Sequence, residues 1–237
     1  MKTRTRKSLS TKLTKLLFIS LIAFGCEEGT MLESPCSLDI DADLSEYQRQ
    51  LDNSEIAADS PKPQACVTFE VDPDANLDIN IKMRDFNDIQ KEKMLKAVEK
   101  IKVVINSTEF KERVLNHTYN GQKTFVDNNN LTNKEVYQKI MGGKEDLIPE
   151  VDNEMDVDVT IYYKRSSTVG YTYPDTTRTW VNSRFFNGYT HGQVSSNVVH
   201  EWTHKIGFGH AYRSNSARPY SVPYAIGSII EELVDSM

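Results

Sequence analysis

Residues 200 to 210 read His200-Glu201-Trp202-Thr203-His204-Lys205-Ile206-Gly207-Phe208-Gly209-His210, the pattern H-E-x-x-H-x-x-G-x-x-H. On an α-helix, residues i and i+4 lie one above the other on one face. His200 and His204 can therefore both direct a ring nitrogen at one ion, at the zinc–imidazole distance of about 2.0–2.1 Å. Glu201 sits beside that ion rather than on it, where a general base takes a proton from a metal-activated water. A helix running on past Ile206 would point His210 away. Gly207 can adopt the left-handed conformation that ends a helix and brings the chain back beneath the metal. Three imidazoles with a fourth position left open is the donor set of one catalytic Zn2+ ion, not of a closed structural site. With 5 His and 11 Gly in 237 residues, the Gly and the third His fall at these places by chance about once in a thousand.

The elements that must position these residues follow from periodicity. The helix carrying the motif is expected to begin near Ser195 or Ser196, both competent caps, with Val198, Val199, Trp202 and Ile206 as its buried side. Upstream, Leu77, Ile79, Ile81 and Met83 alternate with polar residues as in a half-buried strand. Ile89, Met94, Leu95, Val98, Ile101 and Ile105 predict a long amphipathic helix packed on the sheet. A short helix is expected after Asn106 and another at Thr132, where Glu135 completes a capping box and Gly142 or Gly143 supplies the stop. Strands resume with Val157, Val159, Ile161 and Tyr163, then Val169 to Pro174, then Thr179 to Phe186. Pro174 suits an edge strand, where a missing donor breaks no ladder bond. Ile226, Ile229, Ile230 and Leu233 predict a closing helix.

Composition, 38% hydrophobic and 26% charged, is that of one globular domain with appendages. The appendage is N-terminal. Lys2, Arg4, Arg6, Lys7, Lys12 and Lys15 precede the apolar run Leu16 to Gly25, too short to span a bilayer comfortably, as in an export signal. The run ends Ala23-Phe24-Gly25-Cys26, which resembles the lipobox of bacterial lipoproteins, and this resemblance implies a signal peptide over 1–25 and lipidation of Cys26. A plain signal peptide cut nearby is the alternative. With Cys26 acylated, Cys36 and Cys66 form an even pair able to join as a disulfide outside the cytoplasm. Residues 26–66 are polar and lack apolar periodicity, as expected of a tether or a propeptide-like linker. Beyond residue 26 the chain holds 34 acids against 22 bases, a net charge of −12 that argues against nucleic acid and leaves a preference for basic substrates open.

The order strand, long helix, further strands and a helix with the eleven-residue motif resembles the metzincin clan of zinc metallopeptidases. The resemblance covers roughly residues 75–237, its specific part being 195–224. It implies an α+β, zincin-like fold over residues 67–237, with a twisted mixed β-sheet above an active-site helix and a small C-terminal helical subdomain. It further implies that His200, His204 and His210 ligate zinc and that Glu201 is the general base and acid. Val169, Gly170, Tyr171, Thr172 and Tyr173 match the clan's edge strand, along which an extended substrate pairs. The clan's methionine turn beneath the zinc has its counterpart in Ser221-Val222-Pro223-Tyr224, with Pro223 where methionine is expected. Tyr224 would then be a donor to the substrate oxyanion, or else a packed ring.

Together these readings predict an exported, membrane-anchored, monomeric zinc endopeptidase acting on protein or peptide. A surface lipoprotein that binds a protein or glycan through a non-catalytic zinc site is the alternative from another class. A third reading keeps the enzyme and takes Glu231 or Glu232 as third ligand.

Overall fold

The computed structural model describes residues 67–237. Cys26, Cys36 and Cys66, the expected signal over 1–25 and the linker over 26–66 lie outside the described residues. Chain order is β1 (Asp78–Arg84), α1 (Asp88–Ile105), α2 (Thr108–Leu115), α3 (Asn133–Met141), β2 (Glu154–Tyr162), β3 (Gly170–Thr172), β4 (Arg178–Asn182), α4 (Ser183–Phe186), α5 (His191–Lys205), a 3-10 turn (Arg218–Tyr220) and α6 (Val222–Asp235). The class is α+β, and the four strands form one mixed sheet in the order β1-β2-β4-β3.

β1 pairs in parallel with β2 from Asp78↔Glu154 to Arg84↔Thr160, and β2 in parallel with β4. β3 runs antiparallel to β4, with Tyr171 opposite Trp180, and stands at the edge as expected. The period of two sorts the faces. Met155, Val157, Val159 and Ile161 are buried in one core with Met94, Val98, Ile101, Val198 and Trp202 of α1 and α5. The alternate residues face outward, where Arg84 pairs with Asp158 at 2.9 Å. There Tyr171 also stacks on Trp180 at 5.1 Å between ring centroids, beside Tyr162 and Tyr173.

Several boundaries differ from those expected, each for a local reason. In α1 the buried stripe is Met94, Ala97, Val98, Ile101, Val104 and Ile105, while Ile89 is 80% exposed and Leu95 43%. The cap of α2 is Ser107, whose hydroxyl accepts from the Phe110 amide at 3.1 Å. Asn106 instead bonds both backbone groups of Leu77, at 2.8 and 2.9 Å, and so holds the approach to β1 against the end of α1. β4 stops at Asn182, and residues Ser183–Phe186 turn into helix because the Asn182 side chain accepts from the Arg184 amide at 3.2 Å. β2 ends at Tyr162, leaving Tyr163 exposed. The Thr132–Glu135 capping box and the stop at Gly142 and Gly143 occur as read, with Gly143 at φ +65°.

The motif helix α5 begins at His191, four residues before Ser195. Its box is Thr190 with Gln193: the Thr190 hydroxyl accepts from the Gln193 amide and the Gln193 side chain accepts from the Thr190 amide, both at 3.1 Å. Ser195 is buried within the helix and donates to the Ala97 carbonyl of α1 at 3.3 Å. α6 lies alongside α5 and allows a close approach at Gly227, where a Cβ would come within 3.1 Å of the Ser196 backbone oxygen. Ser221-Val222-Pro223-Tyr224 is the cap and first turn of α6, not a free-standing turn; Pro223 sits where a helix needs no amide donor. Among the described residues no helix is long and apolar enough to cross a membrane.

Candidate metal centre

Helix α5 sets the first two imidazoles. Its apolar positions Val194, Val198, Val199 and Trp202 are buried, which turns His200 and His204 toward the opposite side. The helix ends at Lys205, Ile206 is the C-terminal cap, and Gly207 at φ +84° reverses the chain. An alanine at 207 would meet the left-handed penalty, and its Cβ would stand 3.2 Å from the Asp146 carboxylate. The reversal brings His210 back. One ring nitrogen each from His200, His204 and His210 lies within 4.8 Å of the others, close enough to hold a single metal ion. Ring centroids stand 5.1 Å apart for His200 and His204, 5.2 Å for His200 and His210, and 4.9 Å for His204 and His210.

The surroundings suit neutral imidazoles, the form that ligates. Burial, aided by the neighbouring histidines, pushes His200 down to about 3, against a weaker opposing hydrogen bond with the Pro223 backbone. Burial likewise lowers His204. His204 Nδ1 lies 2.8 Å from the Phe208 carbonyl and His210 Nδ1 3.1 Å from the Ala211 carbonyl. Each carbonyl can only accept, so each Nδ1 donates, which in a neutral ring leaves Nε2 with its lone pair. Glu201 is 5% exposed, and burial pushes its carboxyl up to about 8, with Lys205 opposing.

Tyr224, from the first turn of α6, packs its ring 4.5 Å from that of His200 and 4.8 Å from that of His210. The Arg218 guanidinium lies 4.7 Å from the centre of the same tyrosine ring. The 3-10 turn that carries Arg218 is itself held by the Val126 amide, which donates to the Tyr220 carbonyl at 2.8 Å.

The edge strand stands close above α5. A Cβ on Gly170 would fall 2.9 Å from the Asn197 side chain, so a larger residue here would require that amide to move. The Asn182 amide donates to Val169 at 2.7 Å, which makes that pair and Tyr171–Trp180 the bonded pairs of the ladder. By alternation, the amide and carbonyl of Gly170 and of Thr172 point away from β4, toward the open edge. Beyond Thr172 the chain is fastened to α5 by Lys205. Its ammonium donates to the carbonyls of Tyr173 at 3.1 Å, Arg178 at 3.2 Å and Thr176.

The remaining titratable candidates lie elsewhere. His191 is the first residue of α5, beside Lys93, Lys96 and Lys100 of α1 and Asp235. His117 stacks on Phe125 at 4.1 Å. Glu232 pairs with Arg113 at 2.7 Å, and neither Glu231 nor Glu232 belongs to the converging group. Sequence reasoning passed over Glu145, Lys205 and Arg218. Lys205 occupies a variable position of the motif, Glu145 is distant in the chain, and Arg218, though near Tyr224, belongs to no spacing pattern. No protein-family model matches the chain, and no curated protein matches it in sequence.

Proposed function

We propose that this protein is a zinc-dependent endopeptidase with a zincin-like fold. The carrying observation is the convergence of His200, His204 and His210 on a helix against which the edge strand packs at Gly170 and Asn197. The donor set fits zinc: three half-buried imidazoles, two of them oriented by backbone carbonyls, each with a ring nitrogen within 4.8 Å of the others. When bound, zinc supplies Lewis acidity at the scissile carbonyl and makes water acidic enough to attack near neutral pH.

The protein's own residues carry the other tasks. An extended peptide bonds the Gly170 and Thr172 amides and carbonyls, adding a strand to the sheet and presenting one peptide bond to the centre. Glu201 takes the proton of the attacking water and returns it to the leaving nitrogen. The Tyr224 hydroxyl donates to the oxygen that gains charge as the carbonyl becomes tetrahedral. Export by the segment 1–25, anchoring through Cys26 and a monomeric state belong to the same proposal, as does the metzincin resemblance.

The test is cleavage of a quenched peptide library by metal-loaded protein, run beside Glu201→Ala with zinc content measured in both. Cleavage that vanishes in the variant while zinc stays bound is the expected result. No cleavage from zinc-loaded wild type would overturn the peptidase and favour the binding lipoprotein.

A further inference from the structure

We infer that the cavity beside His204 is a subsite for a lysine or arginine side chain of the substrate, which makes the cleft selective for basic peptides. The inference rests on the peptidase reading for its setting and on a separate group of residues for its chemistry.

The cavity is a small opening, about 20 Å³ inside and continuous with solvent, where α5 ends, between the loop after α3 and the loop joining β3 to β4. His204 and Lys205 line one side, Glu145, Asp146 and Asp156 the other, and Pro174 borders it directly after the edge strand. A chain lying along β3 therefore runs toward this opening, whose lining includes the metal-centre residue His204.

Glu145 is the distinctive group. It is 4% exposed, its Oε1 accepts from the Trp202 indole at 2.6 Å and from the Asp156 amide at 3.1 Å, and its Oε2 has no partner. A buried carboxyl oxygen without a partner is costly, and Glu145 lines the cavity, so a donor entering there could satisfy Oε2 once the lining shifts to admit it. Lys205 does not fill the role, since an ammonium has three donors and all three are given to backbone carbonyls. Three carboxylates against one committed ammonium leave the lining negative.

The spread of the acids decides what enters. Among the described residues only the three histidines bring three ligand atoms within 4.8 Å, so Glu145, Asp146 and Asp156 are too far apart to share one metal ion. A lysine or arginine side chain meets the arrangement better. Its methylene stem can lie against Leu147, Ile148 and Pro174, and the donors at its tip can bridge separated carboxylates. The net charge of −12 beyond residue 26 adds attraction for such substrates over distance.

The experiment uses metal-loaded full chain and two readouts. In the first, kcat/KM is compared for nonapeptides in which arginine or its neutral isostere citrulline is scanned through each position. In the second, binding of the same labelled pair is measured on Glu201→Ala. Arginine should be favoured at least tenfold at one position in both. Asp146→Asn, at the exposed mouth, and Glu145→Gln, which keeps the acceptor for Trp202, should each erode that preference for arginine over citrulline. Cleavage with no arginine preference, or a preference that neither variant moves, would overturn the subsite and leave the peptidase intact. Binding preference without any cleavage would support the subsite and sink the peptidase.

Discussion

His204 Nδ1 lies 2.8 Å from the carbonyl oxygen of Phe208, four residues on and past the reversal at Gly207. The bond exists because Gly207 occupies φ +84°, and it fixes which nitrogen of His204 faces the metal position. Gly207→Ala should therefore weaken metal binding on the order of 10- to 100-fold, the usual effect of losing an orienting partner. Left-handed backbone strain should cost about 1–2 kcal/mol of stability besides. Competition with a chromophoric chelator and a denaturant titration read the two effects separately; unaltered metal affinity would show that the reversal does not orient His204.

Tyr224→Phe separates chemistry from packing. The phenylalanine ring keeps the contacts at 4.5 and 4.8 Å to His200 and His210 and loses only the hydroxyl. If that hydroxyl meets the oxyanion, kcat should fall by about 10²-fold with KM and zinc content little changed. A variant as active as wild type would reduce Tyr224 to a packed ring.

Asp235 clasps the other end of the motif helix. Its Oδ1 accepts from the Gly192 amide at 3.2 Å and its Oδ2 from the Thr190 hydroxyl at 3.5 Å, placing a carboxylate on the α5 N-terminus. Asp235→Ala should cost about 1 kcal/mol. A Cβ at 192 would sit 2.3 Å from the same carboxylate, so Gly192→Ala must open the clasp and should be neutral or destabilising in wild type. In the Asp235→Ala background it should instead stabilise, by up to about 1 kcal/mol, because only the helix preference of alanine remains. Thermal unfolding of the four proteins tests the reversal of sign, and additive effects would mean the clasp contributes nothing.

Acid stability should depend on Asp72. This carboxylate is buried, pairs with Lys111 at 2.7 Å and accepts from the Tyr137 hydroxyl at 3.0 Å. Lys111, the largest cause, holds its pKa below the ordinary value against the opposing effect of burial. A depressed carboxyl stabilises the fold fully above its unfolded pKa of about 3.9 and loses that contribution as pH falls through the lower folded value. Asp72→Asn should then be less stable by about 1–3 kcal/mol at neutral pH, with the gap closing as pH drops below about 4. Urea midpoints from pH 2 to pH 7 provide the readout; a gap independent of pH would remove the charge from the explanation.

What could be read from the chain follows from how far each interaction reaches. The triad His200, His204 and His210 was legible because helix period and one glycine dictate it within eleven residues. The Thr132–Glu135 box and the β3 edge were legible for the same reason. Thr190 with Gln193 also obeys the capping pattern, yet Ser195 and Ser196 looked equally competent, and only the packing of Ser195 against Ala97 settles that they lie inside the helix. Ile89 fitted the period of α1 but falls in its first turn, beyond the reach of the core. Glu145, Arg218 and Asp235 act on the site across 57, 6 and 43 residues. For Glu145 and Asp235 no local pattern encodes such a reach. Arg218 is near Tyr224 in sequence, but its stacking depends on the 3-10 turn held by Val126.

One division of labour in the fold bears on how such a protein can be re-purposed. The groups proposed for the chemistry, from His200 through the reversal to Tyr224, lie in a single uninterrupted stretch, whereas the edge strand and both loops around the acidic cavity come from residues 142–182. The two parts share one core, in which Met155, Val157, Val159 and Ile161 pack with Val198 and Trp202, and they are tied besides at Lys205 and Asn197. An engineer can thus vary the exposed positions of the two loops to rewrite recognition, provided the shared core and those ties are kept.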